Sequence, residues 1–226
     1  MPSDDELESL LEQAGLEPHL ARSLARYGEL VLETNRRFNL TGSKSAAEFV
    51  PHLLDSLSVV PHLREPYVDI GSGAGLPAIP VALATGMAVT MIEATVKKAR
   101  FLEEALESLG LRGRVLGERA EISGHRDELR ERFATGTARA IGSAPTVAEL
   151  LLPLIEPGGV AVLQRGARDT TDRIALDDAS LMLGGYVERE VAVDPDRSLL
   201  LVRKRSITPG RFPRRPGVPA KRPLCL

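Results

Sequence analysis

Tyr67-Val68-Asp69-Ile70-Gly71-Ser72-Gly73-Ala74-Gly75-Leu76-Pro77 is the stretch that decides the fold of this 226-residue chain. Residues 67–70 read as a short buried strand. Glycines at alternate positions follow, and then a helix from about Pro77, where a first helical turn needs no backbone N–H. Gly71, Gly73 and Gly75 allow a tight turn and a close approach of backbone to ligand. A side chain at Gly71 is expected to stand in the ligand's way. Strand, glycine loop and helix in that order form a nucleotide-type cofactor site. The plain alternative is a glycine-rich turn that holds nothing.

The spacing argues for one cofactor class. A dinucleotide loop needs G-x-G-x-x-G, and from Gly71 the third glycine would fall where Leu76 stands. Asp69 adds negative charge beside the loop, which disfavours a pyrophosphate and favours a sulfonium or an amino group. A second apolar run, 87–92, is a candidate parallel strand. It ends in Glu93, 22 residues after Gly71. An acid there is placed to accept hydrogen bonds from ribose hydroxyls. It also fits as an acid at a helix start, since Ala94 and Thr95 open the next helix.

Composition sets the outer bounds. The chain is 43% hydrophobic and 27% charged, as a globular domain should be. No apolar run approaches the ~18 residues of a membrane span. The first residues are acidic and lack a signal-peptide pattern, and the one cysteine, Cys225, excludes an internal disulfide. Both predict a cytoplasmic protein. The four histidines lack zinc-ligand spacing, so no metal is expected. Net charge is −2, yet residues 203–226 carry eight Lys and Arg and no acid, leaving −10 on the rest. Five prolines share that tail. It is expected to be extended or partly disordered, with no helix, and to serve as an arm for nucleic-acid phosphates through residues such as Arg211, Arg214 and Arg215.

The remainder alternates. Residues 1–62 read as a helical extension, 63–205 as the cofactor-binding domain and 206–226 as the basic tail. His52 and Asp55 share a helix face, and a local hydrogen bond that fixes the helix is their expected role. Helix 95–109 begins with Lys97, Lys98 and Arg100, against the dipole, which points to a surface use. Strands are expected at 114–117, 137–142 and 160–164, and helices at 125–133, 147–155 and 168–183. Segments 186–193 and 199–202 read as a hairpin. The sum is an α/β fold: a doubly wound, mostly parallel sheet with a C-terminal β-hairpin, preceded by helices.

These pieces resemble the class I S-adenosylmethionine-dependent methyltransferases (Rossmann-like), and more closely the bacterial small-subunit ribosomal RNA methyltransferase G family, also called GidB-like. The carriers are Asn39-Leu40-Thr41, His52-Leu53-Leu54-Asp55-Ser56-Leu57, the glycine loop, Arg139-Ala140, Pro157-Gly158-Gly159 and Pro213-Arg214-Arg215-Pro216-Gly217-Val218-Pro219. The resemblance implies methylation of N7 of a guanine in 16S ribosomal RNA, free or in the small subunit; a monomer is the expected state. It also implies cofactor contacts from Gly71, Gly73, Leu76, Glu93, Ala94, Thr95, Ala120, Glu121 and Arg139, beside Asp69. Ala78, Ala138, Arg165 and Ser198 depart from the family pattern; the last two sit at the expected RNA-facing edge and bear on affinity or target choice. Guanine N7 carries no proton, so positioning rather than a general base is required. Arg139 is the candidate catalytic side chain, able to orient guanine or the cofactor carboxylate through its planar fork; a structural ion pair is its plainer role. A nicotinamide oxidoreductase and a noncatalytic RNA-binding or assembly factor are the rival readings.

Overall fold

The computed structural model describes residues 4–166 and 170–225. The first three residues of the acidic start, the expected helix start at Arg168, and Leu226 lie outside them.

The chain opens with three helices, α1 (Asp4–Gln13), α2 (Pro18–Asn35) and α3 (Ala46–Leu57). Then come β1 (Tyr67–Ile70), α4 (Ala78–Thr85), β2 (Val89–Ile92), α5 (Val96–Leu109), β3 (Gly113–Leu116), α6 (Ala120–Ser123) and β4 (Phe133–Arg139). The last part holds α7 (Ala144–Leu151), β5 (Ile155–Arg165), α8 (Thr170–Met182), β6 (Gly185–Asp194), β7 (Arg197–Lys204) and α9 (Val218–Lys221). The strands form one sheet in the order β3-β2-β1-β4-β5-β7-β6. Pairs among β1–β5 are parallel, whereas β7 runs antiparallel to both β5 and β6.

β1 lies between β2 and β4, so its four residues are buried on both sides. That is why it reads as an unbroken apolar run apart from Asp69. The sheet order reverses at β1, and such a switch point leaves a crevice at the carboxyl ends of the strands. Alternation assigns the two faces. Val160, Val162, Leu199 and Leu201 join Tyr67, Met91 and the helices α1–α5 in one cluster. Val68, Ile70, Ala161, Leu163, Leu200 and Val202 join α7 and α8 in the other. Among the described residues, no helix is long and apolar enough to cross a membrane, and no cluster of His, Cys, Asp and Glu could hold a metal.

Two expectations about elements need correction. Residues 125–133 are not a helix: turns occupy 124–125 and 127–131, Glu131 has φ 53°, and Phe133 opens β4. Leu129 and Phe133 supply a helical spacing, but long-range bonds decide otherwise. The Glu131 amide bonds the Pro153 carbonyl, and its carboxylate takes the Thr208 amide and Lys204 Nζ. β4 accordingly runs earlier than the expected 137–142 and stops at Arg139, where Ala140 takes φ 55°.

The tail is also not extended or loose, and it contains the short helix α9. Phe212 and Leu224 are buried anchors. Arg214 makes a paired ion contact with Glu149, which is wholly buried. Breaking such a pair on one side costs about 3–5 kcal/mol. Deletion of residues 208–226 is therefore expected to lower the melting temperature by roughly 10 °C for a chain of this size, in a thermal denaturation scan. A truncated protein melting within a degree or so of the full chain would contradict this packing.

Candidate cofactor site

A cavity of about 470 Å³ opens at the carboxyl ends of β1–β4. The glycine loop forms its floor. Gly71, Gly73 and Gly75 all take positive φ, at 65°, 57° and 99°. Their roles differ. A Cβ at Gly71 would collide with Ile141, and one at Gly75 would sit 2.6 Å from Ile79. Gly71 therefore serves packing, which corrects the expectation that a side chain there would chiefly block a ligand. A Cβ at Gly73 would meet nothing nearer than 3.8 Å, so Gly73 is the glycine that faces open space.

The loop's amides are largely spent inside the protein. Those of Gly71 and Ser72 go to the Ile92 carbonyl, and those of Gly75 and Leu76 to Ser72. The Gly73 amide donates to Glu93 Oε2 at 2.9 Å. A phosphate cradle requires free amides pointing at the anion. This loop has spent five of its six amides over 71–76, which counts against a pyrophosphate cofactor. Glu93 also accepts the Thr95 amide, at 2.7 Å, through Oε1. Its carboxylate is buried, and each oxygen keeps a lone pair for a further donor.

Asp69 lies wholly buried beneath the loop. Its Oδ1 accepts the Thr137 hydroxyl at 2.6 Å, and Thr137 meets the Tyr67 hydroxyl at 2.6 Å. Its Oδ2 has no partner. Burial pushes this carboxyl from 3.8 up to about 7; the nearby hydroxyls of Ser72, which donates to the Asp69 backbone carbonyl, and of Thr137 oppose the rise, the Glu93 charge adds to it and the Arg139 charge opposes it. A buried, unpaired carboxylate oxygen is costly. A cationic group bound nearby would offset that cost, so the donor set fits S-adenosylmethionine, with its sulfonium and amino charges.

Arg139 projects from the end of β4 into a buried polar cluster. It contacts Asp55 at 3.3 Å and His52 Nδ1 at 2.7 Å. Arginine can only donate, so that imidazole nitrogen accepts. Burial, then the charges of Arg139 and Arg197, hold His52 below its usual range, as a neutral acceptor should be. Gln164 donates to Asp55, and Arg197 lies 3.7 Å from it. The local hydrogen bond expected between His52 and Asp55 is thus replaced by a shared grip on Arg139. The i, i+3 spacing was visible; its target, 87 residues along the chain from His52, was not.

Of the residues expected to hold a cofactor, Gly71, Gly73, Leu76, Glu93, Ala94, Ala120, Glu121 and Arg139 line the cavity. Asp69 lies behind it, and Thr95 is exposed beside it. Burial alone would raise the Glu121 carboxyl, but hydrogen bonds from Arg119 and the Gly217 amide hold it below its usual range. Leu40, Thr41, Lys98, Thr146 and Ala220 line the cavity too and were not anticipated. Lys98 explains one member of the basic start of α5. Of the cations assigned to RNA, Arg214 pairs with Glu149, and Arg165 pairs with Asp172 and donates to the Gly142 carbonyl. Both are engaged within the domain, which corrects their reading as free phosphate contacts. Arg211 and Arg215 are exposed.

Asp69 provides a test by pH. Between about pH 4 and 7 the folded chain retains a proton that the unfolded chain has released. Stability therefore falls as pH rises through that window, by up to roughly 1.4 kcal/mol per pH unit. Asp69→Asn removes this term, so the variant should gain on wild type between about pH 4 and 7 in urea unfolding series. A constant difference across that range would contradict the raised carboxyl.

Comparison with known proteins bears on the same residues. Residues 20–200 match the family described as GidB, rRNA small subunit methyltransferase G. The protein named ribosomal RNA small subunit methyltransferase G of Chloroflexus aggregans is 40% identical over 220 residues, covering 92% of each chain. Its namesake in Leuconostoc mesenteroides is 32% identical and covers 99% of this chain and 100% of its own. Among solved structures, the O-methyltransferase from Bacillus cereus in complex with SAH superposes with a TM-score of 0.58 at 21% identity, covering 79% of this chain and 91% of that one. Geranyl diphosphate C-methyltransferase from Streptomyces coelicolor gives 0.53 at 11%, covering 67% and 78%. These two likenesses concern the fold alone. The chain belongs to the GidB family of rRNA small subunit methyltransferase G proteins.

Proposed function

We propose that this protein transfers a methyl group from S-adenosylmethionine to N7 of a guanine in 16S ribosomal RNA. The observation that carries the cofactor half is the glycine loop with most of its amides already bonded, Glu93 taking one of them and the orphaned Asp69 oxygen behind. Bound there, the cofactor supplies a methyl group activated on a sulfonium. Glu93 accepts hydrogen bonds from the ribose hydroxyls while holding Gly73 and Thr95. Gly73 leaves room for the ligand. A cation bound nearby would favour the ionised form of Asp69, which then supplies negative charge behind the loop.

The guanine half rests on family membership and on the side chains around Arg139. N7 presents a lone pair and no proton, so the site needs no general base. His52, the one imidazole in the cluster, has its Nδ1 occupied by Arg139 and is suited to positioning instead. Arg139, held by His52 and Asp55, keeps a fixed orientation at the cavity edge from which to direct the base or the cofactor carboxylate. Arg211 and Arg215 are exposed on the tail and available to RNA phosphates, as Lys221 and Arg222 also are.

Calorimetric titration tests the cofactor. S-adenosylmethionine should bind and NAD should not; the reverse, or neither, overturns the reading. Glu93→Gln loses charge-assisted hydrogen bonds worth roughly 1.5–3 kcal/mol, so its affinity should fall by about tenfold or more. An affinity within about a factor of two of wild type would reduce Glu93 to a helix-start residue. For RNA, the Arg211→Ala, Arg215→Ala double variant should keep wild-type cofactor affinity. Its log–log salt slope for RNA binding should flatten by about 0.7–0.9 for each phosphate that the variant no longer neutralises. An unchanged slope would remove both residues from the RNA surface.

A further inference from the structure

The C-terminal segment is held by side chains that also build the cavity. Arg130 donates to the carbonyls of Thr208 and Phe212, and His125 Nε2 lies 2.7 Å from the Pro213 carbonyl. Glu149 then accepts from the Arg214 backbone amide at 2.8 Å and from the guanidinium at 2.6–3.1 Å. Glu121 accepts the Gly217 amide at 2.8 Å, and the Thr146 hydroxyl donates to the Pro219 carbonyl at 3.1 Å. Glu121 and Thr146 line the cavity, and Ala220 lines it from the tail itself. Glu149 lies next to Leu150, another wall residue.

The fork between Arg214 and a fully buried carboxylate is the strongest of these anchors, because leaving either charge unpaired is costly. It fixes where the next turn falls. That turn brings the Gly217 amide to Glu121 and sets Ala220 against the cavity. We propose that residues 217–220 are a wall of the cofactor site, and that Arg214, acting through Glu149, is the positioning residue that seats them. The inference rests on reading the cavity as the S-adenosylmethionine site. Two binding events that share Glu121 and a common wall must be linked, and linkage is reciprocal. Cofactor should hold the tail down, and the seated tail should hold cofactor.

The test uses the full chain. Trypsin can cut after Arg214 and after Lys221, both within the segment. S-adenosylmethionine should slow those cuts by about the factor by which it stabilises the seated tail, while cuts elsewhere in the chain are less affected. Ala220→Trp, at an exposed position, should leave the melting temperature near wild type and weaken cofactor binding by about tenfold, since it narrows the wall alone. Arg214→Lys keeps the charge without the fork, so it should bind cofactor more weakly than wild type and more tightly than Arg214→Ala. Suppose wild type binds S-adenosylmethionine, but tail cleavage ignores it and Ala220→Trp binds normally. The wall is then overturned while the cofactor reading stands. Failure of wild type to bind would overturn the cofactor reading itself.

Discussion

One carboxylate ties three segments together at the carboxyl edge of the sheet. Glu93, at the end of β2, takes the amide of Gly73 from the loop after β1 and the amide of Thr95 at the start of α5. Each bond is charge-assisted and partly buried, so each is stronger than its counterpart in water. The left-handed loop, the start of α5 and the mouth of the cavity therefore share one determinant. The same bonds consume an amide that a phosphate would need. A single acid thus stabilises the loop and, with it, selects the class of cofactor that the loop can take.

A second buried network stands opposite. Arg139 lies between Asp55 and His52, with Gln164 and Arg197 closing around Asp55. α3 is thereby tied to the ends of β4, β5 and β7. The helices that precede the sheet contribute to the site in this way, and again where the Tyr27 hydroxyl donates to the Ala74 carbonyl of the glycine loop at 2.7 Å. Buried polar groups of this kind are demanding, because each must find its partner. Two oxygens around the site are left without one, Gln164 Oε1 in this network and Asp69 Oδ2 behind the glycine loop.

Much of this was legible in the chain. Local pattern suffices for β1, the glycine loop, β2 and Glu93, because strand, turn chemistry and acid are all encoded within about thirty residues. The hairpin β6–β7 and the helices of the first sixty residues were also legible, from alternation and from apolar stripes. The failures share a cause. Residues 125–133 carry a weak helical spacing that long-range bonds to Pro153, Lys204 and Thr208 override. The tail is basic and rich in proline, and composition alone makes it an arm. Its fate is set by Glu149 and Glu121, acids in distant segments whose partners no local pattern reveals. His52 and Asp55 were paired with each other for the same reason, when both belong to Arg139.

The central claim is methyl transfer to guanine N7 of the small-subunit RNA, and chemistry specific to that product tests it most directly. Purified protein would be incubated with S-adenosylmethionine labelled in its methyl group and with 16S RNA, free or in small subunits, from cells lacking this gene. The RNA would then be reduced and treated with aniline, which cuts the strand at N7-methylguanine. The account predicts stoichiometric label and a single new scission at one guanine, both diminished in the Glu93→Gln variant at subsaturating cofactor. No label, or label at a site that aniline leaves intact, would contradict it.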